Sequence, residues 1–292
     1  MKLDLEPDIR GMLPEKEFDR RDFIWTALGA SAALAVSGPV SAQLITTDTV
    51  GIDASDVSIP VADGQTIRGY RAMPLGNGPF PVIICCAEIF GLNHYTKDVC
   101  RRFAKAGYCA IVPDLYARKV DLTTLKDMAE IMPIVDSKFD TELVADYDAT
   151  VEFVRSRFNG DMSRMAVAGF CRGGRTALVY TAANPRVKAT VSWYGPVGGQ
   201  PNPFTPRTVI DRVGEIKTPV LGLYGAKDAG VPIAQVEQFF AALKAAGIPS
   251  ELVVYPEAGH GFHADFRPAN YRKDDAEDGW GRMLAWFRKY GV

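Results

Sequence analysis

The stretch "MAVAGFCRGGRTALVY", residues 165 to 180, constrains this chain more than any other. An apolar β-type run ends on Gly169-Phe170-Cys171-Arg172-Gly173 and passes at once into a helical pattern. Glycines two positions either side of one polarizable side chain are what a very sharp strand-to-helix bend requires, because a Cβ at either flank would collide with the returning backbone. Such a bend lifts the central side chain clear of the sheet. The helix that follows points its first N–H groups at Cys171, and the positive end of its dipole favours a thiolate there. The arrangement is the G-x-S-x-G nucleophile elbow with sulfur in place of oxygen.

The surrounding pattern fits that bend. From about residue 51, short β-branched runs alternate with longer amphipathic stretches, which predicts one α/β domain with a mostly parallel central sheet and helices on both faces. "DVSIPVADGQTIRGYRAMP" reads as a hairpin turning at Asp63-Gly64. "PFPVIICCAEIF" is apolar throughout, as a strand buried on both faces must be, and Cys85 and Cys86 on it should face opposite ways as small core residues. "YCAIVPDLY", "MAVAGF", "VKATVSWYG", "TPVLGLYG" and "ELVVY" are further strands. Leu143, Tyr147, Val151, Val154 and Phe158 recur at helical spacing, and Trp280, Met283, Leu284 and Phe287 form the inner face of a closing helix. Residues 116–139 and the Gly/Pro-rich "GPVGGQPNPFTPR" from 195 fit no core element. They are expected as loops beyond the carboxyl ends of the strands, where such folds shape their pockets.

A nucleophile needs a base, and the base needs an orienting acid. The chain has three histidines, His94, His260 and His263. His260, in "YPEAGHGF" directly after the last strand, stands where the base belongs. Asp228, in "LGLYGAKDAGVP" after the preceding strand, supplies the acid. The order Cys171, Asp228, His260 is the nucleophile, acid, base order of the α/β-hydrolase fold. Glu88 in "CCAEIFG" places a carboxylate at the end of a buried strand. There it either salt-bridges a nearby arginine or meets the Cys171 thiol. His94 and His263 are read as pocket-lining candidates.

The bulk composition excludes other classes. Thirty-five acidic residues against 33 basic ones, in 292, leave no charge excess to hold nucleic acid or an anionic membrane surface. The histidines, cysteines and carboxylates lack metal-ligand spacing, so no metal is expected. "GFCRGG" has the wrong glycine register for a dinucleotide, and no other cofactor is implied. Five cysteines, an odd number, rule out a complete disulfide framework. At the N-terminus, Arg20 and Arg21 precede a weakly apolar run from Phe23 to Val36 and then Val40-Ser41-Ala42. This reads as a twin-arginine export signal cleaved after Ala42, too short and alanine-rich to remain as a membrane anchor. It predicts 1–42 as a removed signal handled by the twin-arginine export machinery, 43–292 as the mature domain, and a periplasmic destination.

"EIFGLN", "PDLYAR", "GFCRGG", "YGAKDAGVP" and "AGHGF", in that order over about residues 51–290, resemble the dienelactone hydrolase (carboxymethylenebutenolidase-like) family of α/β-hydrolases. The resemblance implies an α/β-hydrolase fold without a separate cap domain. It implies Cys171 as nucleophile, His260 as base, Asp228 as its orienter, and the backbone N–H groups of Ile89 and Arg172 as the oxyanion hole. It further implies that Glu88 pairs with the thiol at rest, and that Trp193 takes the place of a pocket aromatic. The family's carboxylate-binding arginine four residues after the histidine is replaced by Ala264. Its second arginine is also missing: residues 119–139 offer Lys119, Lys126 and Lys138. Arg118, Arg172, Arg175 and Arg267 are candidate replacements. The expected substrate is a small ester or lactone. The alternatives are a carboxylesterase or thioesterase with the same machinery, and a non-catalytic thiol-based binding or redox protein.

Overall fold

The computed structural model describes residues 45–292, so segment 1–42, expected to be an export signal, lies outside the described residues. Among the described residues eight strands form one sheet in the order β1-β2-β4-β3-β5-β6-β7-β8. The hairpin of β1 (Ile52–Pro60) and β2 (Thr66–Pro74) is antiparallel, and β2 runs antiparallel to β4 (Cys109–Pro113). The remaining neighbours are parallel: β3 (Phe80–Cys86), β5 (Gly160–Phe170), β6 (Ala189–Trp193), β7 (Val220–Gly225) and β8 (Ser250–Tyr255). This is the α/β-hydrolase fold expected from the sequence. All the parallel strands end at the same edge of the sheet, so the segments following β3, β5, β6, β7 and β8 converge.

Period-2 alternation divides the core. Val82, Ile84 and Cys86 of β3 and Met165 and Val167 of β5 face one layer. That layer is completed by α2 (Met128–Asp136), α3 (Asp140–Arg157), α4 (Arg172–Ala183) and α5 (Ile233–Ala245). Ile83, Cys85, Ala166, Ala168 and Phe170 face the other, against α1 (His94–Lys105) and α6 (Lys273–Lys289). Cys85 and Cys86 therefore do point to opposite faces. Both are free and buried, as the apolar run around them requires.

Residues 116–139 depart from the loop reading. A short 3-10 turn, Leu122–Thr124, is followed by α2, which carries Pro133 in its interior. The proline and the mixed charge conceal a helical spacing of Met128, Ile131 and Val135, all buried. An N-cap supports the helix start, with the Asp127 carboxylate accepting from the Ala129 N–H at 2.8 Å.

A buried charge cluster ties this segment down. Asp146 of α3, almost wholly buried, accepts from Arg118 at 2.6 and 2.9 Å and from Lys138 at 2.7 Å. Arg118 also reaches Asp63 in the β1–β2 turn at 2.7 Å. Removing one member of a buried ion pair leaves its partners desolvated and uncompensated. Asp146→Asn is expected to cost about 3 kcal/mol in urea unfolding. A change below about 0.5 kcal/mol would show that the cluster does not hold the segment.

Candidate active site

The elbow is built as its sequence requires. Cys171 has φ 56° and ψ −125°, a left-handed conformation rare for a residue with a side chain. A Cβ on Gly169 would lie 1.9 Å from the Gly173 carbonyl oxygen, and one on Gly173 would lie 2.0 Å from that of Cys86. The end of β3, the end of β5 and the first turn of α4 thus touch backbone to backbone, which only glycine permits. The Cys171 N–H donates to the Trp193 carbonyl at 3.0 Å, fixing the bend to β6.

The three groups expected to meet do meet. His260 Nε2 lies 3.0 Å from Cys171 Sγ, and His260 Nδ1 lies 2.8 Å from Asp228 Oδ2. Asp228 is itself oriented, because its Oδ1 accepts from the N–H groups of Gly230 at 2.9 Å and Val231 at 3.0 Å. Asn270 braces the base by donating from Nδ2 to the His260 carbonyl at 2.8 Å. The Tyr194 ring packs edge-on against the imidazole, with centroids 5.1 Å apart. Neither Asn270 nor Tyr194 was legible in the sequence. Tyr194 carries a signal after the fact, a positive φ of 39° directly after a strand.

Burial by itself would pull His260 down. The Asp228 carboxylate and the Cys171 sulfur outweigh it and hold the imidazole well above its usual 6.5. Burial raises the thiols of Cys86 and Cys109 to about 12 and pushes Cys85 up as well, which keeps these three neutral and inert.

Cys171 and His260 open into a cavity of about 660 Å³ whose lining includes Ile89 and Arg172, the residues expected to offer oxyanion N–H groups. As the first residue of α4, Arg172 has a backbone N–H without an intrahelical acceptor. Met132 and Val135 of α2 form one wall, and much of 196–208 forms another. Both irregular segments therefore do shape the pocket. Arg175, Arg207 and Arg267 also line it, and among the described residues no carboxylate does.

Four expected substrate contacts lie elsewhere. Trp193 is fully buried behind the elbow, stacked on Phe170 and donating its indole N–H to Met283 Sδ at 3.3 Å. Arg118 is held by Asp146 and Asp63. His94 is exposed at the first position of α1. His263 packs in an aromatic box with Trp280 and Trp193, its Nδ1 2.7 Å from the Tyr95 hydroxyl. Burial, reinforced by Arg102, takes His263 well below its usual value and leaves it neutral. Glu88 is buried and takes the salt-bridge option: its Oε2 accepts from Arg267 at 3.1 Å, while the thiol pairs with His260 and not with Glu88. Among the described residues no group of histidines, cysteines and carboxylates is arranged to hold a metal ion.

Comparison with known proteins places the chain among related sequences. The model of the dienelactone hydrolase family matches residues 67–291. A Methylorubrum extorquens protein named "Putative carboxymethylenebutenolidase" is 46% identical over 289 residues, 98% of this chain and 98% of its own length. An Escherichia coli protein of the same name is 40% identical over 257 residues, covering 87% of this chain and 94% of its own. The crystal structure of a Klebsiella pneumoniae protein named "Putative Dienelactone Hydrolase" superposes with a TM-score of 0.78 at 43% identity, over 82% of this chain and 99% of that one.

The raised imidazole makes stability depend on pH. A group whose folded value lies above its unfolded 6.5 contributes fully below about that pH and loses its contribution as pH rises through the folded value. Urea unfolding of the wild type is therefore expected to weaken from about pH 7 upward. Asp228→Asn should flatten that decline, and an equally steep decline in the variant would show that Asp228 is not its source.

Proposed function

Because the chain belongs to the dienelactone hydrolase family, we propose that it hydrolyses a small ester or lactone with Cys171 as nucleophile, His260 as acid and base, and Asp228 as the orienting acid. The observation that carries this reading is the continuous hydrogen-bond line from Sγ through the imidazole to Asp228, at 3.0 and 2.8 Å, opening on a cavity.

Sulfur attacks the carbonyl carbon while its proton passes to His260 Nε2. The oxyanion so formed is met by the backbone N–H groups of Ile89 and Arg172, donors fixed in advance by the elbow and by the turn after β3. Collapse breaks the ester C–O bond, and the imidazolium gives its proton to the leaving alkoxide. In a lactone that alkoxide stays tethered to the acyl group. Water then attacks the thioester, losing a proton to His260, and the thiol is regenerated as the acid departs. Throughout, Asp228 accepts a hydrogen bond from the Nδ1–H and keeps Nε2 directed at sulfur. Glu88 has no step of its own here. Its buried pair with Arg267 fixes the turn that presents Ile89.

The N-terminal segment supports a further part of the proposal, export by the twin-arginine route. Arg20 and Arg21 precede a short weakly apolar run and a small-residue cleavage site.

Cys171→Ala is expected to lower turnover of an activated aryl ester by on the order of 10⁴ or more without moving the unfolding midpoint. Equal rates in the two proteins would overturn the nucleophile assignment. A panel of lactones, aryl esters and acyl thioesters ranks the bonds cleaved. In a host with the twin-arginine machinery, the double change Arg20→Lys and Arg21→Lys should keep the full chain out of the periplasmic fraction. Unchanged export would refute the signal.

A further inference from the structure

His263 lies three residues beyond His260 in the same loop, is almost wholly buried, and takes no part in lining the cavity. Its imidazole is enclosed by rings from three other elements. The centroid of Phe170 in β5 is 5.1 Å away, that of Trp193 in β6 4.6 Å, and that of Trp280 in α6, stacked at 20°, 5.6 Å. The remaining contact is polar: Nδ1 lies 2.7 Å from the hydroxyl of Tyr95 in α1, 168 positions away in sequence.

Three of these neighbours lead to a working part of the site. Phe170 directly precedes Cys171, and the Trp193 carbonyl accepts from the Cys171 N–H at 3.0 Å. Tyr95 is the second residue of α1, and the start of that helix is bound to the turn that carries Ile89. There the Asn93 side chain accepts from the Thr96 N–H at 2.9 Å, and the Asn93 N–H donates to the Gly91 carbonyl at 2.9 Å.

We propose that His263 and Tyr95 are a positioning pair, whose hydrogen bond keeps the loop of the base, the nucleophile elbow and the oxyanion turn in register with one another. The proposal rests on ester hydrolysis at Cys171 and adds to it what aligns the three parts that carry it out.

Contacts between rings tolerate a range of offsets and tilts, whereas a hydrogen bond weakens steeply with misalignment. The aromatic box therefore holds the imidazole in place, and the bond to Tyr95 fixes how it is turned. Both partners stay neutral. Burial, with Arg102 of α1 adding to it, takes the imidazole well below its usual range, and burial, with Glu88 adding to it, lifts the phenol well above its own. Breaking the bond strands a polar atom of each in apolar surroundings. Two residues on, Asp265 pairs with Arg102 of the same helix, so the loop remains docked without the Tyr95 bond and what is lost is its alignment. A displacement of about 1 Å among reacting groups is enough to cost on the order of a hundredfold in rate.

The test uses the full chain, its Tyr95→Phe and His263→Phe variants and the double variant, with p-nitrophenyl acetate as substrate and urea unfolding alongside. Each single change should lower the urea midpoint, because one polar partner is left buried and unpaired. In each, kcat should fall by roughly ten- to a hundredfold with KM unchanged, as for an interaction expressed in the transition state. The double variant leaves neither partner unpaired, so its midpoint should recover while its kcat stays low. A kcat that returns together with the midpoint would show a purely structural pair and overturn the proposal. An unchanged kcat in the folded single variants would overturn it too. Should His263→Phe not fold, Tyr95→Phe, which loses one oxygen atom, decides alone.

Alkylation of Cys171 by iodoacetamide at neutral pH, followed by intact mass, supplies a readout independent of turnover, since it reports how sulfur sits against His260. The single variants should react more slowly than the wild type. A wild type that cleaves no ester would sink the hydrolysis reading, and the alkylation rates would then decide the pair: slower in the variants upholds it, equal rates end it.

Discussion

The structure depends on a place where three pieces of backbone meet without side chains between them. The carbonyl of Cys86, at the end of β3, occupies the position a Cβ on Gly173 would need, and the Gly173 carbonyl occupies the corresponding position at Gly169. This contact permits β5 to pass into α4 with no intervening loop. It also brings the turn after β3 beside the start of that helix. Ile89, Cys171 and Arg172 become neighbours on one cavity wall for that reason. The positive φ at Cys171 is strain of the kind that persists when surrounding structure over-determines it. The hydrogen bond to Trp193 and the packing of α4 against β3, β5 and β6 supply that determination.

Electrostatics are decided by what each group faces. His260 and His263 share one loop, yet a carboxylate and a sulfur draw the first imidazole upward against the effect of burial, while burial and Arg102 push the second downward. The cysteines differ in surroundings. Cys85, Cys86 and Cys109 sit in apolar core and are raised out of reach, whereas Cys171 meets an imidazole. Carboxylates paired with the cavity arginines play the complementary role: Asp140 and Glu88 hold Arg175 and Arg267 in fixed positions, and the guanidinium of Arg172 has no such close partner.

Much of the site could be read from the chain because its chemistry is local. Glycine at 169 and 173, a turn that lets Asp228 accept from Gly230 and Val231, and a histidine directly after the last strand are each specified within a few residues. What failed was the direction of side chains. Trp193 stands one residue before the ring that does touch His260, and the strand pleat sends it into the core behind the elbow. Arg118 is claimed by Asp146, 28 residues away in sequence, and Glu88 by Arg267, 179 away. No local pattern encodes such pairings. Helix α2 was hidden by Pro133, whose local cost is overridden by burying Met128, Ile131 and Val135.

The sequence by itself determined the order of the strands along the chain, the sharp bend at Cys171, and the chain order of nucleophile, acid and base. All of these are written in short-range backbone preference and hydrophobic period. Only the tertiary structure decided which arginines border the cavity, which carboxylates hold them, and which histidine is drawn up and which down in proton affinity. Those outcomes depend on desolvation and on partners brought together from distant positions, and both exist only once the sheet has closed the layers around them.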